Sequence, residues 1–161
     1  NNGADLYAAV QAAVDQAIAE GADTVIAVGH LGIVEQSSPW RSTDVIANTT
    51  GIDAFIDGHS HSVVEGDLVP NKDGSKNVVL TQTGTKLANI GRLILRADGS
   101  ISTELISGYA AQDEETLAFV GDIESKFAGD LAETIGQTEV TLTVADPVTG
   151  NRMVRSQETN L

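Results

Sequence analysis

The distribution of apolar residues predicts an α/β protein built from a layered, mixed sheet with flanking helices. Two observations support this prediction. Before Glu65, a segment with helical apolar spacing precedes a short apolar run, and the same pair of elements then repeats. After Glu65, strand-like segments follow one another with only Gly- and Asp-rich turns between them. We therefore expect a parallel section followed by an antiparallel one.

The helices and strands of the parallel section can be assigned in order. The first helix is predicted over Asp5 to Glu20, because its apolar residues recur at helical spacing. The run "ADTVIAVGH" follows and is typical of a strand covered on both faces. Ser42 or Thr43 is a suitable cap for a short helix that ends before Gly51, and "DAFID" repeats the pattern of a buried strand.

The antiparallel section is assigned to "NVVLTQTGT", "NIGRLILRA" and "SISTELISG". Between the last two, Asp98-Gly99 predicts a two-residue hairpin turn with positive φ angles. A further helix is predicted from Asp113, where acidic residues fill the first turn, to Gly129. The tail after it is strand-like and is interrupted by the turn "DPVTG".

Composition excludes several classes of function. The 161 residues carry a formal charge of −14 with only nine Lys plus Arg, which argues against a nucleic-acid polymer as partner. No apolar run is long enough to span a membrane, and no signal-peptide pattern opens the sequence. With no cysteine there are no disulfides or thiolate ligands, and both a cytosolic and an exported protein remain open.

All three histidines of the chain follow predicted strands. His30 ends the first strand, and His59 and His61 lie just past the second, in "GHSH". Because ligands gather beyond the carboxyl ends of parallel strands, we expect the three imidazoles to lie close together. They suit either one zinc ion with an open position or two adjacent metal ions. For any one histidine alone, an ordinary surface or hydrogen-bonded role is the alternative.

Two blocks of the sequence resemble the metallophosphoesterase domain of the 5′-nucleotidase family, which includes bacterial UDP-sugar hydrolases and 2′,3′-cyclic-nucleotide phosphodiesterases. Gly21 to Gly32 matches the pattern GADVVIxLxHxG, and Gly51 to His61 matches GIDxIxxGHSH. The likeness continues through "VVLTQTGTKLANIGRLILRADG", in which we expect Thr81 to Gly84 to have a purely structural role.

The resemblance implies a domain organisation. Residues 1–108 correspond to the C-terminal half of the metallophosphoesterase domain, with part of its layered fold of mixed sheets. Residues 109–131 correspond to the helix that connects the family's two domains. Residues 132–161 correspond to the beginning of the family's C-terminal nucleotide-binding domain, which is truncated here.

The resemblance also implies an activity and a metal site. His30 and His59 are assigned by motif to one divalent ion and His61 to a second, and Zn, Mn, Fe and Co suit such ligands equally. The parent protein would hydrolyse nucleotides or nucleotide sugars by attack of a metal-bound hydroxide on phosphorus. The family's other ligand motifs are expected N-terminal to Asn1. We therefore expect a fragment that binds metal weakly or not at all and is inactive alone.

Other predictions accompany this assignment. For Asp57, directly before "GHSH", two roles are open: a hydrogen bond to a ligand imidazole, or a solvent-facing or loop-capping position. Residues that contact substrate are not identified. The resemblance implies an extracellular, periplasmic or cell-wall location. A fragment with exposed strand edges is also expected to self-associate.

A competing hypothesis concerns a different class of function. The chain would then be a degenerate metallophosphoesterase segment that acts as a binding or structural module of a surface protein. In that case its histidines would no longer meet a metal.

Overall fold

A computed structural model describes residues 2–139 of the chain. The chain divides into a first unit, Asn1–Ala110, and a second unit, Ala111–Leu161. The described residues combine helices with one mixed sheet and one antiparallel sheet. This confirms the prediction of a mixed α/β protein.

The first unit contains two helices and six strands, together with a single 3₁₀ turn at Glu35–Ser37. Both helices predicted for this region are present, and the first begins and ends within one residue of its predicted bounds. In chain order, the elements are α1 (Ala4–Ala19), β1 (Ile26–Val28), α2 (Ser42–Asn48), β2 (Ala54–Ile56), β3 (Val63–Pro70), β4 (Asn77–Thr83), β5 (Asn89–Leu95) and β6 (Ile101–Ser107).

The main sheet has the strand order β1, β2, β4, β3. β1 is parallel to β2, and β2 is parallel to β4, so the carboxyl ends of these three strands meet at one edge. We had assigned β4 to the antiparallel section and had not predicted β3. The antiparallel assignment is confirmed for the pairing of β4 with β3, but β4 also pairs in parallel with β2, which we did not predict. Its buried apolar run is what a central strand requires.

The hydrophobic core lies where α1 and α2 pack against one face of this sheet. Complete burial of an aliphatic or aromatic side chain contributes about 1.5–3 kcal/mol, so this core holds β2 and β4 firmly in place. The buried core residues are Val14, Val45, Ile46, Ile52, Phe55, Val78 and Leu80.

Part of the opposite face, together with the edge strand β1, is exposed. Ile26 and Val28 lie on the same face as Ile56, because their register partners in β2 are Ala54 and Ile56. The exposed fractions are 39% for Ile26, 78% for Val28 and 36% for Ile56. An apolar strip therefore runs along the β1 edge of the sheet.

The second sheet is the hairpin of β5 and β6, whose antiparallel pairing confirms the predicted hairpin. The expected two-residue turn was wrong. Arg96 N–H donates to Ser100 O at 3.0 Å, so the loop between these two residues has three residues. Within it, Gly99 N–H donates to Arg96 O at 2.9 Å. Only the glycine has a positive φ, of 80°. These features are typical of a three-residue hairpin loop, in which a type I turn is followed by a left-handed glycine.

In the second unit, α3 runs over Glu114–Ala132. Its first turn is capped by Asp113, whose Oδ1 accepts a hydrogen bond of 2.8 Å from Thr116 N–H. The predicted end at Gly129 was wrong, since the helix continues for three more residues. The strand-like tail predicted further on lies largely outside the described residues. Within residues 2–139, no helix has the length and apolarity needed to cross a membrane.

Candidate metal centre

The first two histidines are brought together by the parallel pairing of β1 and β2. His30 is the second residue after β1, and His59 is the third residue after β2. Gly29 N–H donates to Ile56 O at 2.9 Å and continues the pairing beyond the strands. The two loops therefore leave the same edge of the sheet side by side, as the sequence predicted.

The imidazole rings of His30 and His59 meet edge to face. Their centroids lie 5.2 Å apart and the ring planes form an angle of 74°. Both side chains are exposed to solvent. The two exposed imidazoles thus lie next to each other at the edge of a well-packed sheet.

Each ring packs on a glycine of the opposite loop. A Cβ on Gly58 would stand 3.0 Å from His30 Nδ1, and a Cβ on Gly32 would stand 3.2 Å from His59 Cδ2. At these distances even an alanine would force a neighbour to move. The reciprocal packing explains why the sequence has a glycine at each of these positions.

The backbone at "GHSH" is held in an unusual conformation. His59 has a φ of 75° and His61 a φ of 54°, both in the left-handed region. That region costs a residue with a Cβ about 1–2 kcal/mol. The backbone of both histidines is therefore strained in this turn, and the surrounding contacts must offset the cost of that strain.

Asp57 fixes one histidine loop to the other. This residue is buried, with 8% of its surface exposed. Its Oδ1 accepts from Leu31 N–H at 2.8 Å and its Oδ2 accepts from Gly32 N–H at 3.0 Å. Of the two roles open for Asp57, the structure places it in the loop-capping one. In the described part of the chain, the partners of the carboxylate do not include an imidazole.

A buried glutamine completes the support. Gln82 lies in β4, is 1% exposed, and donates from Nε2 to Asp57 Oδ2 at 3.0 Å. Its Oε1 accepts from the hydroxyl of Ser60 at 3.0 Å. Ser60 and Ser62 lie 2.9 Å apart, and since the single Ser60 hydrogen points to Gln82, Ser62 is the donor of that pair.

Sequence reasoning missed Gln82, Ser60 and Ser62. A detectable signal was the amide side chain of Gln82 shortly after the apolar run of Val78 to Leu80, because a buried amide requires hydrogen-bond partners. Within the described residues no buried polar side-chain atom lacks such a partner.

The first loop is also tied to α2. Gly32 O accepts from Ser42 N–H at 3.0 Å and from the Ser42 hydroxyl at 3.3 Å. The helix begins after Arg41, not with the Ser42 or Thr43 cap that we predicted. Asp44 accepts from Arg41 N–H at 3.1 Å and from Arg41 Nε at 2.8 Å. The hydrogen bond with the guanidinium lowers the pKa of Asp44 below its usual value.

His61 does not complete a three-ligand group with the other two histidines. Within residues 2–139, no three His, Cys, Asp or Glu side chains lie close enough together to hold a metal ion. What the structure brings together is the pair of imidazoles of His30 and His59, a ligand type that suits Zn, Mn, Fe or Co. They supply two of the four ligands that a zinc site ordinarily has. The residues present fit part of a metal centre.

Comparisons with models of known protein families and with curated proteins find no match to this chain.

Proposed function

We propose that this chain supplies the histidine-bearing part of a metal-dependent phosphoesterase of the 5′-nucleotidase type. The observation that supports the proposal most strongly is the meeting of His30 and His59 at the shared edge of two parallel strands. The fold proposed for the parent is the layered metallophosphoesterase fold, with this chain forming the part that follows its upstream metal motifs.

The proposed roles of the histidines rest on the family resemblance, and the meeting of His30 and His59 supports a shared site for these two. His30 and His59 would hold one divalent ion, and His61 would contribute to a second site whose other ligands lie outside the described residues. Metal ions held there would lower the pKa of a coordinated water and would neutralise charge on phosphoryl oxygens. The chain's own contribution is to hold two exposed imidazoles next to each other. The substrate of the parent would be a nucleotide or a nucleotide sugar.

Two further features belong to the proposal. The protein would act outside the cytoplasm, in the extracellular space, the periplasm or the cell wall. The chain alone would self-associate through the apolar strip of Ile26, Val28 and Ile56, since exposed apolar surface beside an unpaired strand edge favours association.

A second candidate function is a binding or structural module without catalysis. The observation that favours it is that no three metal-type side chains group together within residues 2–139. The two candidates differ in what they require of the histidine pair. A metal centre requires His30 and His59 to bind one ion together, whereas a structural module does not.

The proposal is tested by adding zinc or manganese to the 161-residue chain and assaying release of phosphate from a nucleoside monophosphate. Without the remaining ligands, we expect no sustained turnover. Sustained turnover that His59→Ala abolishes and Asp23→Asn preserves would show that the chain is itself a complete catalyst, contrary to the proposal. Adding a polypeptide that carries the upstream motifs should restore turnover that depends on His30 and His59. Failure of a correctly folded complex to do so would favour the structural module.

A further inference from the structure

We propose that Asp57 and Gln82 are positioning residues, which set the relative placement of the His30 and His59 rings by clamping their two loops together. The inference deepens the proposed function and rests on it for what the rings bind. The clamp itself is argued from hydrogen bonds, burial and packing alone.

The first step is the direction of the Asp57 bonds. Asp57 belongs to the His59 loop, and both of its backbone partners, Leu31 N–H and Gly32 N–H, belong to the His30 loop. These two amides directly follow His30 in the chain. The buried carboxylate of Asp57, two residues before His59, therefore fixes the backbone just after His30.

The second step is the chain of donors that ends at this carboxylate. Ser62 donates to Ser60, Ser60 donates to Gln82, and Gln82 donates to Asp57. The amide group of Gln82 therefore has a defined orientation, with its nitrogen toward the carboxylate. Because Gln82 lies in the central strand β4, the loop that carries His59 is attached to the most firmly packed part of the sheet.

The third step is that a carboxylate is needed. Asp57 accepts three hydrogen bonds, two from backbone amides and one from Gln82. An asparagine has one oxygen, so its NH₂ group would face, donor against donor, either Leu31 N–H or both Gly32 N–H and Gln82 Nε2. Loss of a partner by a buried polar group is costly, and here it would loosen the contact between the loops.

The fourth step connects the clamp to the rings. The positions that a Cβ would take on Gly32 and Gly58 lie 3.2 and 3.0 Å from the imidazoles of His59 and His30. The loops therefore approach with little space between each ring and the opposite backbone. A relative shift of about 1 Å, which is enough to impair a binding or catalytic site, would change the edge-to-face contact of the rings.

The experiment measures ring placement without a metal. The full chain is labelled only at histidine, which gives three imidazole spin systems, and the nuclear Overhauser effect (NOE) between the His30 and His59 rings is recorded. We expect Asp57→Asn to weaken this NOE several-fold and Gln82→Leu to weaken it to a smaller extent. The control is Thr49→Val, which removes a buried hydrogen bond of 2.8 Å between the Thr49 hydroxyl and Val45 O, at the end of α2.

The outcomes separate positioning from general stability. Urea unfolding is measured for each variant, and the control is expected to lose stability while keeping the full NOE. An undiminished NOE in folded Asp57→Asn would overturn the proposal, and so would an equal loss of NOE in Thr49→Val. If Asp57→Asn does not fold, Gln82→Leu decides, because the proposal requires its NOE to be weaker than that of the unmodified chain.

Zinc binding then tests the link to function separately. If the unmodified chain binds zinc through His30 and His59, we expect Asp57→Asn to bind about tenfold or more weakly, the effect typical of losing groups that orient metal ligands. Absence of zinc binding in the unmodified chain is compatible with a chain that lacks the remaining ligands; the NOE result then decides the clamp, and the assay with the upstream polypeptide decides the proposed function. Equal zinc affinity in the two proteins would contradict the clamp and leave the proposed function standing.

Discussion

His30 packs against Gly58, with His30 Nδ1 only 3.0 Å from the position of a Cβ on that glycine. The contact joins the loop after β1 to the loop after β2, and His59 packs against Gly32 in the reverse sense. Each histidine thus uses the opposite glycine as the surface on which its ring rests. This reciprocity gives the pair a defined geometry although both rings are exposed.

Gly58→Ala tests the role of that surface. The backbone φ of Gly58 is outside the left-handed region, and the group that must move is an exposed imidazole. We expect the free energy of unfolding to change by less than about 1 kcal/mol, while the His30 ring is displaced and its NOE to His59 falls. An unchanged NOE would mean that the glycine does not define the ring position.

Gly32→Ala should behave differently, because Gly32 has a φ of 80°. The left-handed conformation alone is expected to cost about 1–2 kcal/mol, and the contact with the His59 ring adds to it. The matched control is Gly21→Ala, at a φ of 99° with no atom within 4 Å of the added Cβ. Urea unfolding should show a larger loss for Gly32→Ala. Equal losses would contradict the contact with His59.

The first parallel strands and the histidine positions were predictable because local pattern determines them. Uninterrupted apolar runs define β1 and β2, and each histidine directly follows one of these runs. The close approach of His30 and His59 then follows from parallel pairing, which places both loops at one edge.

The rest depended on tertiary contacts that local pattern does not carry. To predict that β4 pairs in parallel with β2, one must know that β3 lies on the other side of β4. β3 is mostly exposed and is interrupted by a bulge between Val64 and Asp67. Gln82 contacts Asp57 across 25 residues of sequence.

The pair of Arg41 and Asp44 predicts a pH dependence of stability. The hydrogen bond from Arg41 lowers the pKa of Asp44 below its usual value of 3.8 in the folded state. The ionised carboxylate therefore stabilises the fold fully above that usual value, and the contribution is lost as the pH falls through the lowered pKa.

Asp44→Asn is expected to cost about 1 kcal/mol at neutral pH. The difference from the unmodified chain should shrink in acid, where Asp44 becomes protonated and its ion pair with Arg41 is lost. Urea unfolding from neutral to acid pH measures it, with Asp23→Asn as a control for removing one negative charge. A difference that stays constant or grows in acid would contradict the assignment.

The second unit offers an independent prediction in α3. Gly121 lies inside this helix, and an added Cβ there meets no atom within 4 Å. Since glycine in a helix costs about 0.5–1 kcal/mol relative to alanine, Gly121→Ala should raise the thermal stability of the helical circular dichroism signal. Gly136→Ala, beyond the helix, serves as the control and should leave the signal unchanged. A lowered helical signal in Gly121→Ala would show that the site is not open.

The central claim, that His30 and His59 act as one metal-binding pair, is tested most directly by a zinc titration of the histidine-labelled chain in complex with the polypeptide that carries the upstream motifs, because the chain alone is expected to bind metal weakly or not at all. We expect both imidazole signals to shift together with one apparent Kd, EDTA to reverse the shift, and His59→Ala to weaken binding at His30. His61→Ala should leave the shared Kd unchanged. Separate Kd values for the two rings, or shifts no larger than those of free imidazole at the same zinc concentration, would contradict the claim.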